Sequence, residues 1–303
     1  MTYVVLRLVA AVAARLPRAV LYRLGAALGV LAGSVLRIRR ALVESAMTRA
    51  GVVAPSAVAS KMYRKLGGGV FELLFLAGAS RVERSAALAR VSIDDAAVQA
   101  LDAGLARGPV ILFASHTGNW ELAAAAAARL LAERQRRLAV VAKAMHARGV
   151  DAFLVRLRRR LGVDVVSPRG ALAAARRVLD AGDVVVLPID QVPDHPAHAL
   201  PVLFLHETAF ADRAPATLAW RSKATVLVVA AEQLGGAHHV RLLDVISPPC
   251  TSARSRAWID ETTVRATAAL EAFVRASPDA WLWLHRRWRA PHRPPLVATA
   301  QPG

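Results

Sequence analysis

A histidine and a glutamate stand at the end of an apolar run in the first half of the chain. Residues 110–114 read Val-Ile-Leu-Phe-Ala, and His116 and Glu121 follow shortly after. A neutral imidazole can remove a proton from a hydroxyl group, and a carboxylate on its second nitrogen fixes the tautomer and stabilises the imidazolium that forms. The pair therefore predicts a general base that activates a nucleophile supplied by a substrate.

The surrounding residues indicate a strand that runs into a helix. Large apolar residues after Gly108 and Pro109 are typical of a strand buried on both faces, residues 115–118 predict a turn, and Glu121 begins an alanine-rich helix. Ligands of open α/β sheets bind at such strand ends. Ser115 is a poor nucleophile candidate, because neighbours in an extended strand point apart and no Gly-x-Ser-x-Gly elbow surrounds it.

Two other histidines have an acid five positions later. His239 and Asp244 fall in a predicted strand, where an odd offset places side chains on opposite faces. His146 and Asp151 flank a polar loop before a basic helix, and this favours a surface pair. Neither pair predicts a site.

Strands and helices alternate along the chain. Patterning predicts strands at 110–114, 138–143, 163–166, 184–189, 225–231 and 239–245. It predicts helical residues over 41–90 with a glycine break at 67–69, and helices at 97–106, 121–133, 150–161, 170–181, 212–222 and 258–276. This is the pattern of an α/β fold with a mixed, mostly parallel sheet covered by helices.

Four ordered motifs resemble those of one enzyme family. Residues 116–121 read His-Thr-Gly-Asn-Trp-Glu, and the likeness continues over 161–170, 181–191 and 278–289. These segments resemble the His-x4-Asp/Glu and later motifs of the bacterial lipid A late acyltransferases, a group that includes the phosphatidylinositol mannoside acyltransferases. The resemblance implies a glycerolipid-acyltransferase-like fold with an N-terminal hydrophobic helical membrane anchor.

The resemblance also implies the chemistry and the residues that perform it. His116 would be the general base and Glu121 its orienting partner, while a lipid hydroxyl attacks the thioester of an acyl carrier protein or coenzyme A. This chemistry requires no metal and no other cofactor. Arg158 is our choice among the arginines of 156–160, whose other members fit a solvated helix face. The positions expected to bind substrate are Asn119, Arg158, Asp190 and Gln191.

One stretch departs from the family pattern. Where relatives usually show Phe-Phe-Gly, Ala-x-Thr and Gly-Pro-Ala, this chain has Leu-Phe-Leu at 203–205, Ala-Phe-Ala at 209–211 and Ala-Pro-Ala at 214–216. Glycine permits backbone conformations that leucine and alanine do not. We therefore expect the reaction class to persist and leave open the acceptor, either a lipid A precursor or a phosphatidylinositol mannoside or other glycolipid.

The charge balance calls for an anionic partner. The 303 residues include 40 Lys plus Arg against 22 Asp plus Glu, a formal net charge of +18. A mean hydropathy of +0.36 and the lack of any nucleic-acid-binding motif argue against nucleic acid. An anionic membrane surface, a phosphorylated glycolipid acceptor and an acidic carrier protein fit better.

The N-terminus predicts the membrane contact. Residues 3–36 are mostly Val, Leu and Ala, but arginines and Pro17 interrupt them. Two helices broken at Pro17 would lie in the cytoplasmic leaflet of the inner membrane with snorkelling arginines. A single membrane-spanning helix over residues 19–36 is the alternative. The expected division is membrane-associating helices at 1–40, an acyltransferase domain at 41–290 and a flexible tail at 291–303.

The closing tryptophans have two interpretations. Trp281 and Trp283 alternate with leucines as in a strand edge packed in the core, whereas headgroup-level placement with Trp288 and Arg286, Arg287 and Arg289 would suit amphipathic aromatics and cations. His285 is expected to be structural. Cys250, between prolines and polar residues, predicts a loop with no disulfide.

Two other classes of function remain open at this stage. A hydrolase would use His116 to activate water on the same ester or thioester. A non-enzymatic membrane-binding protein would need the basic surface and the N-terminal helices, but no histidine and carboxylate at a strand end.

Overall fold

A seven-stranded sheet forms the centre of the protein. The computed structural model describes residues 1–167, 170–247 and 255–291, so Cys250, the tail beyond 291 and part of the 161–170 motif lie outside the described residues. The strands are β1 (Val91–Ile93), β2 (Val110–Ala114), β3 (Leu138–Val141), β4 (Val163–Val166), β5 (Val184–Pro188), β8 (Thr225–Leu234) and β9 (Ala237–Ile246). Their order is β1-β9-β8-β2-β5-β3-β4, and every neighbouring pair is parallel except β8 and β9. The predicted mixed, mostly parallel α/β sheet is confirmed.

Eleven α-helices are present among the described residues. They are α1 (Thr2–Ala13), α2 (Arg18–Val30), α3 (Arg40–Arg49), α4 (Pro55–Gly78), α5 (Arg81–Leu88), α6 (Asp95–Arg107), α7 (Trp120–Ala132), α8 (Arg148–Arg160), α9 (Ala171–Asp180), α10 (Ala214–Ser222) and α11 (Ser255–Ala276). Side chains of β2 alternate between two cores: Ile111 and Phe113 pack with α9 and α11, and Leu112 packs with α6 and α7. The sheet is therefore covered on both faces, and this explains why β2 has no polar residue.

A two-stranded hairpin, absent from the sequence expectations, follows β5. Its strands are β6 (Ala199–Phe204) and β7 (Glu207–Asp212). Leu205 and His206 form the turn with φ angles of +52° and +69°. Positive φ at both central residues is typical of a tight hairpin turn, a position usually taken by glycine or asparagine. Leu205 takes one of these positions, and its side chain is buried in the core.

The predicted break in the helix at residues 67–69 is wrong. Helix α4 continues through all three glycines because they provide close contacts instead of flexibility. A Cβ on Gly67 would lie 2.2 Å from the carbonyl oxygen of Gly25 in α2, and one on Gly29 would lie 2.0 Å from that of Tyr63 in α4. Glycines on both helices thus let the two backbones touch.

The N-terminal helices carry apolar side chains on their outer surface. The predicted break at Pro17 is present, between α1 and α2. The stretch Arg18–Val35, which continues α2 through a π-helical turn, is the one described helix long and apolar enough to cross a membrane. Gly25 and Gly29 face α4. The exposed apolar residues of this stretch recur at helical spacing on another face, and they are Val20, Leu24, Leu28, Leu31 and Val35.

The tryptophan segment is core and not strand. Trp281 and Trp283 are each only 1% exposed, and a single β-bridge joins Trp281 to Thr117 in an otherwise turn-rich segment. The headgroup-level interpretation is therefore wrong for both. Arg287 is likewise 1% exposed, because its guanidinium donates to the Phe210 carbonyl beneath the surface.

Candidate active site

His116 is held at the carboxyl end of β2 by the turn that follows it. The backbone N–H of Gly118 donates to the Ala280 carbonyl at 2.7 Å, and that of Leu282 donates to the His116 carbonyl at 2.9 Å. Gly118 has φ +52°, and a Cβ there would lie 2.8 Å from the Ala231 carbonyl oxygen. Only glycine fits this close approach without strain. The turn thus fixes the backbone from which the imidazole projects.

Asp190 is the carboxylate bound to His116. Nδ1 of His116 donates to Oδ1 of Asp190 at 3.0 Å, and the backbone N–H of His116 donates to Oδ2 at 2.8 Å. Trp281 adds its indole N–H at 3.1 Å. Asp190 follows β5, the neighbour of β2, so the two residues meet at the same edge of the sheet. The carboxylate is fully buried, and these three donors satisfy it in the absence of solvent.

The histidine and the aspartate shift each other's pKa. Burial lowers the pKa of His116, but the charge of Asp190 and the hydrogen bond to it outweigh burial and raise the pKa above its ordinary value. Burial raises the pKa of Asp190, but attraction to His116 and the hydrogen bonds from it lower the pKa well below its ordinary value. Asp190 is therefore an anion at neutral pH and favours the protonated imidazole.

The expected partnership of His116 with Glu121 is replaced by another. Nε of Arg158 donates to Oε2 of Glu121 at 2.9 Å, and Nη2 of Arg158 binds the other carboxylate oxygen. Glu121 lies in the first turn of α7 and its carboxylate binds Arg158 of α8, while Nδ1 of the histidine binds Asp190. Glu121 still acts at a distance, since its negative charge adds a smaller upward contribution to the His116 pKa.

The remaining expected residues surround this centre. The Asn119 side chain caps α7 by accepting from the Leu122 N–H at 3.3 Å, and its Nδ2 donates to Glu72 of α4 at 3.0 Å. Gln191 follows Asp190 and lines a cavity beside it. The structure brings Asp190 and Gln191 to the same cavity, whereas Asn119 supports the helix that carries Glu121.

His285 is a site residue that the sequence interpretation missed. Its ring lies edge-on to the ring of His116, with centroids 4.7 Å apart, and Trp120 contacts the same imidazole at 5.1 Å. Burial, followed by the charge of His116, lowers the pKa of His285 to about 4, so His285 is neutral at physiological pH. The sequence feature that could have identified His285 is its position in the Trp-Leu-Trp-Leu-His-Arg-Arg-Trp segment. We interpreted His285 as structural because no carboxylate lies at a suitable spacing from it.

Two cavities of opposite character lie beside the residues that flank or contact His116. A basic cavity of about 430 Å³ is lined by Arg39, Lys143, Asp190, Gln191, Val192, Leu284, His285, Arg286, Arg287 and Arg289. An apolar cavity of about 80 Å³ runs between the sheet and helices α6 and α7, past Ser115 and Trp120. The arrangement suits a substrate with an anionic group on one side and an apolar chain on the other.

His116, Asp190 and His285 are also the one group in the described ranges whose ligand atoms could hold a metal ion. These atoms lie within 4.8 Å of one another. The Asp190 oxygens, however, already accept three protein hydrogen bonds. The geometry therefore fits proton transfer at His116 better than metal ligation.

A histidine with a buried carboxylate, placed at the adjoining ends of two parallel strands, is an arrangement suited to an α/β enzyme that uses a general base. The chain belongs to the bacterial lipid A biosynthesis acyltransferases, because the model of that family matches residues 1–290. It is thus an acyltransferase of lipid A biosynthesis type, and the family is membrane-associated in bacteria. No curated protein matches the chain.

Proposed function

We propose that this protein transfers a fatty acyl chain from an acyl carrier protein or coenzyme A thioester to a hydroxyl of a lipid A precursor. The observation that carries the proposal is the His116–Asp190 pair at the adjoining ends of β2 and β5 in a chain of this family. The reaction takes place at the cytoplasmic face of the inner membrane, where such thioesters are made available to membrane lipids.

Each proton has a defined place in this reaction. Because Nδ1–H of His116 donates to Asp190, the lone pair of Nε2 takes the proton of the acceptor hydroxyl. The hydroxyl oxygen attacks the thioester carbonyl carbon and forms a tetrahedral intermediate. The carbon–sulfur bond then breaks, and the imidazolium returns the proton to the leaving thiolate. Asp190 stabilises the imidazolium between the two transfers.

The two cavities suggest where the substrates lie. The first methylenes of the donor's acyl chain enter the apolar cavity, whose wall includes alanines of α7 and Leu101 of α6 and which, at about 80 Å³, must widen to take the rest of the chain. A phosphate of the acceptor occupies the basic cavity, near Gln191 and His285. Arg158 is proposed to contact the acceptor. Its Nε and Nη2 donate to Glu121, and this ion pair holds the arginine side chain in one orientation.

We propose that α1 and α2 lie on the membrane and that neither crosses it. The glycine contacts fix α2 against α4, while Leu24 and Leu28 face outward and are about half exposed. A helix fixed in this way can bury its outer apolar face in the headgroup boundary without leaving the enzyme. A helix detached to span the bilayer would expose Gly25 and Gly29 and would lose these contacts.

Mass spectrometry of lipids tests the proposed function. A Gram-negative host that lacks a late acyltransferase would express the wild type, His116→Ala or His146→Ala. We expect lipid A heavier by one acyl chain with the wild type and with His146→Ala, because His146 is an exposed histidine outside both cavities. We expect no heavier species with His116→Ala.

Purified protein separates the alternative reactions. The wild type would be incubated with acyl carrier protein thioester in the presence and absence of the lipid A precursor. Release of free fatty acid at equal rates with and without acceptor would identify a hydrolase. Acylation of phosphatidylinositol mannoside in place of lipid A would overturn the acceptor but keep the base.

A further inference from the structure

A second basic cleft lies away from His116 and shares no lining residue with the two cavities described above. It has a volume of about 640 Å³ and lies between α2, α4, the end of α5 and the β8–β9 turn. Its polar lining includes Arg18, Tyr22, Arg23, Glu72, Arg90 and His238. None of these residues has a role in the acyl transfer proposed above.

The cleft has an excess of positive charge. Within the described ranges, none of Arg18, Arg23 and Arg90 has a carboxylate within 4.0 Å, although many arginines elsewhere in the protein do. Glu72, the one acid of the lining, is already bound by Nε2 of His238 at 2.9 Å and by Asn119 at 3.0 Å. Three arginines thus share the cleft with a single carboxylate, and none of them forms an ion pair with it, so the lining keeps an excess of positive charge.

One residue of the cleft lining, His238, also has a buried polar atom without a partner. His238 is 8% exposed, and its Nε2 is used by Glu72. Its Nδ1 is buried and has no hydrogen-bond partner among the described residues. Buried polar atoms are normally satisfied, so this nitrogen has the capacity for one hydrogen bond to a bound group. With Nε2–H donating to Glu72, Nδ1 of a neutral ring would accept from a hydroxyl.

The cleft opens beside the outer apolar surface of α2. Arg18, Tyr22 and Arg23 come from the first turns of that helix, and Val20 and Leu24 beside them are exposed. We propose that the cleft binds the phosphodiester headgroup of an anionic glycerophospholipid, with the lipid chains lying along the exposed face of α2. The arginines would bind the phosphodiester, and a headgroup hydroxyl would satisfy Nδ1 of His238.

This site would attach the enzyme to the membrane independently of its substrates. Glu72 connects the cleft to Asn119, the cap of α7, so a test should leave Glu72 and His238 intact. Arg23 and Arg90 are exposed, and their side chains form no hydrogen bond or ion pair within the described part of the chain, so their replacement removes charge with little effect on folding.

Vesicle cosedimentation of the full chain tests the proposal. Arg23→Gln/Arg90→Gln would be compared with Arg177→Gln/Arg221→Gln, an equal loss of charge on α9 and α10. Neither helix contributes a residue to the cleft. On vesicles of phosphatidylglycerol and phosphatidylcholine we expect about 30-fold weaker binding for the cleft variant, at about 1 kcal/mol per arginine. We expect less than about 3-fold for the control, and wild-type binding for His116→Ala.

Two results would overturn the proposal. The first is an equal loss of vesicle binding in both double variants, which would show diffuse attraction to the net charge. The second comes from thermal unfolding with a short-chain phosphatidylglycerol or with inorganic phosphate. If phosphate alone raised the melting temperature of the wild type as much as the lipid did, the cleft would be a site for free phosphate and not for a lipid.

Discussion

Replacing Asp190 by asparagine should nearly abolish acyl transfer, whereas Glu121→Gln should leave the histidine competent. Asparagine keeps the size of the side chain but removes the negative charge that faces Nδ1 of His116 at 3.0 Å. The amide N–H₂ group of the asparagine must also point at one of the donors that bind the carboxylate in the wild type. The lost charge and the lost hydrogen bond both destabilise the imidazolium, which forms only during the reaction.

The size of the effect follows from the distance. With an effective dielectric constant of about 20, opposite charges about 3 Å apart attract by about 5 kcal/mol. Each 1.36 kcal/mol of transition-state stabilisation corresponds to a factor of about 10 in rate, so Asp190→Asn should lower kcat by about 10³–10⁴. Glu121 acts on His116 only at a distance, so Glu121→Gln should lower kcat by about 10-fold or less through the base. Its main cost is stability, about 3 kcal/mol, because Arg158 loses a nearly buried partner.

The assay is the steady-state rate of lipid acylation by purified variants, normalised to the folded fraction from denaturant titration. The pH dependence of kcat/KM gives a second readout, because the loss of Asp190 should also lower the pKa of His116. If Glu121→Gln lowered kcat as far as Asp190→Asn while remaining folded, the glutamate would be the partner of the base and the structural assignment would be refuted.

Further outcomes follow from the same contacts. Because the pKa of His116 is raised and the base must be neutral, the acid limb of the wild-type kcat/KM profile should lie above pH 6.5, and a midpoint below that value would contradict the pairing. Trp281→Phe removes a donor to a buried anion and should lower the free energy of unfolding by about 1.5–3 kcal/mol in denaturant titrations. Gly29→Ala should lower it by about 1–3 kcal/mol despite the better helix propensity of alanine, because its Cβ meets the Tyr63 carbonyl; unchanged stability would show that α2 does not pack on α4. Ala127→Leu would fill part of the apolar cavity, so competition between donors should shift toward shorter acyl chains, whereas an unaltered preference would place the chain elsewhere.

The central strands could be predicted because a strand buried on both faces has to be apolar throughout. Strand β2 has the predicted bounds for this reason, and β5 ends one residue early. The β6–β7 hairpin was missed because Leu205 and His206 give no turn signal, although both adopt positive φ. The glycines of α4 were misinterpreted because their packing partners belong to another helix, which local sequence does not reveal.

The site could be predicted only as far as neighbouring residues determine it. The apolar run and the motif identified His116, and the resemblance marked Asp190 as a substrate-binding position. The link between them could not be inferred, since it depends on β2 and β5 being neighbours although His116 and Asp190 are 74 positions apart in sequence. The offset from His116 to Glu121 crosses a turn and the start of a helix, so spacing alone did not fix the direction of the glutamate side chain.

The adjacency of β2 and β5 also has an evolutionary consequence. The separation of the histidine and the aspartate is set by the distance between two hydrogen-bonded strands, about 4.8 Å. Helices α7, α8 and α9 and strands β3 and β4 lie between them in sequence but do not set that distance. Insertions, deletions and grafted loops in this intervening stretch could therefore reshape what the enzyme recognises while its proton-transfer pair stays in register. We expect such exchanges to be an accessible route to new acceptors, by natural divergence or in the laboratory.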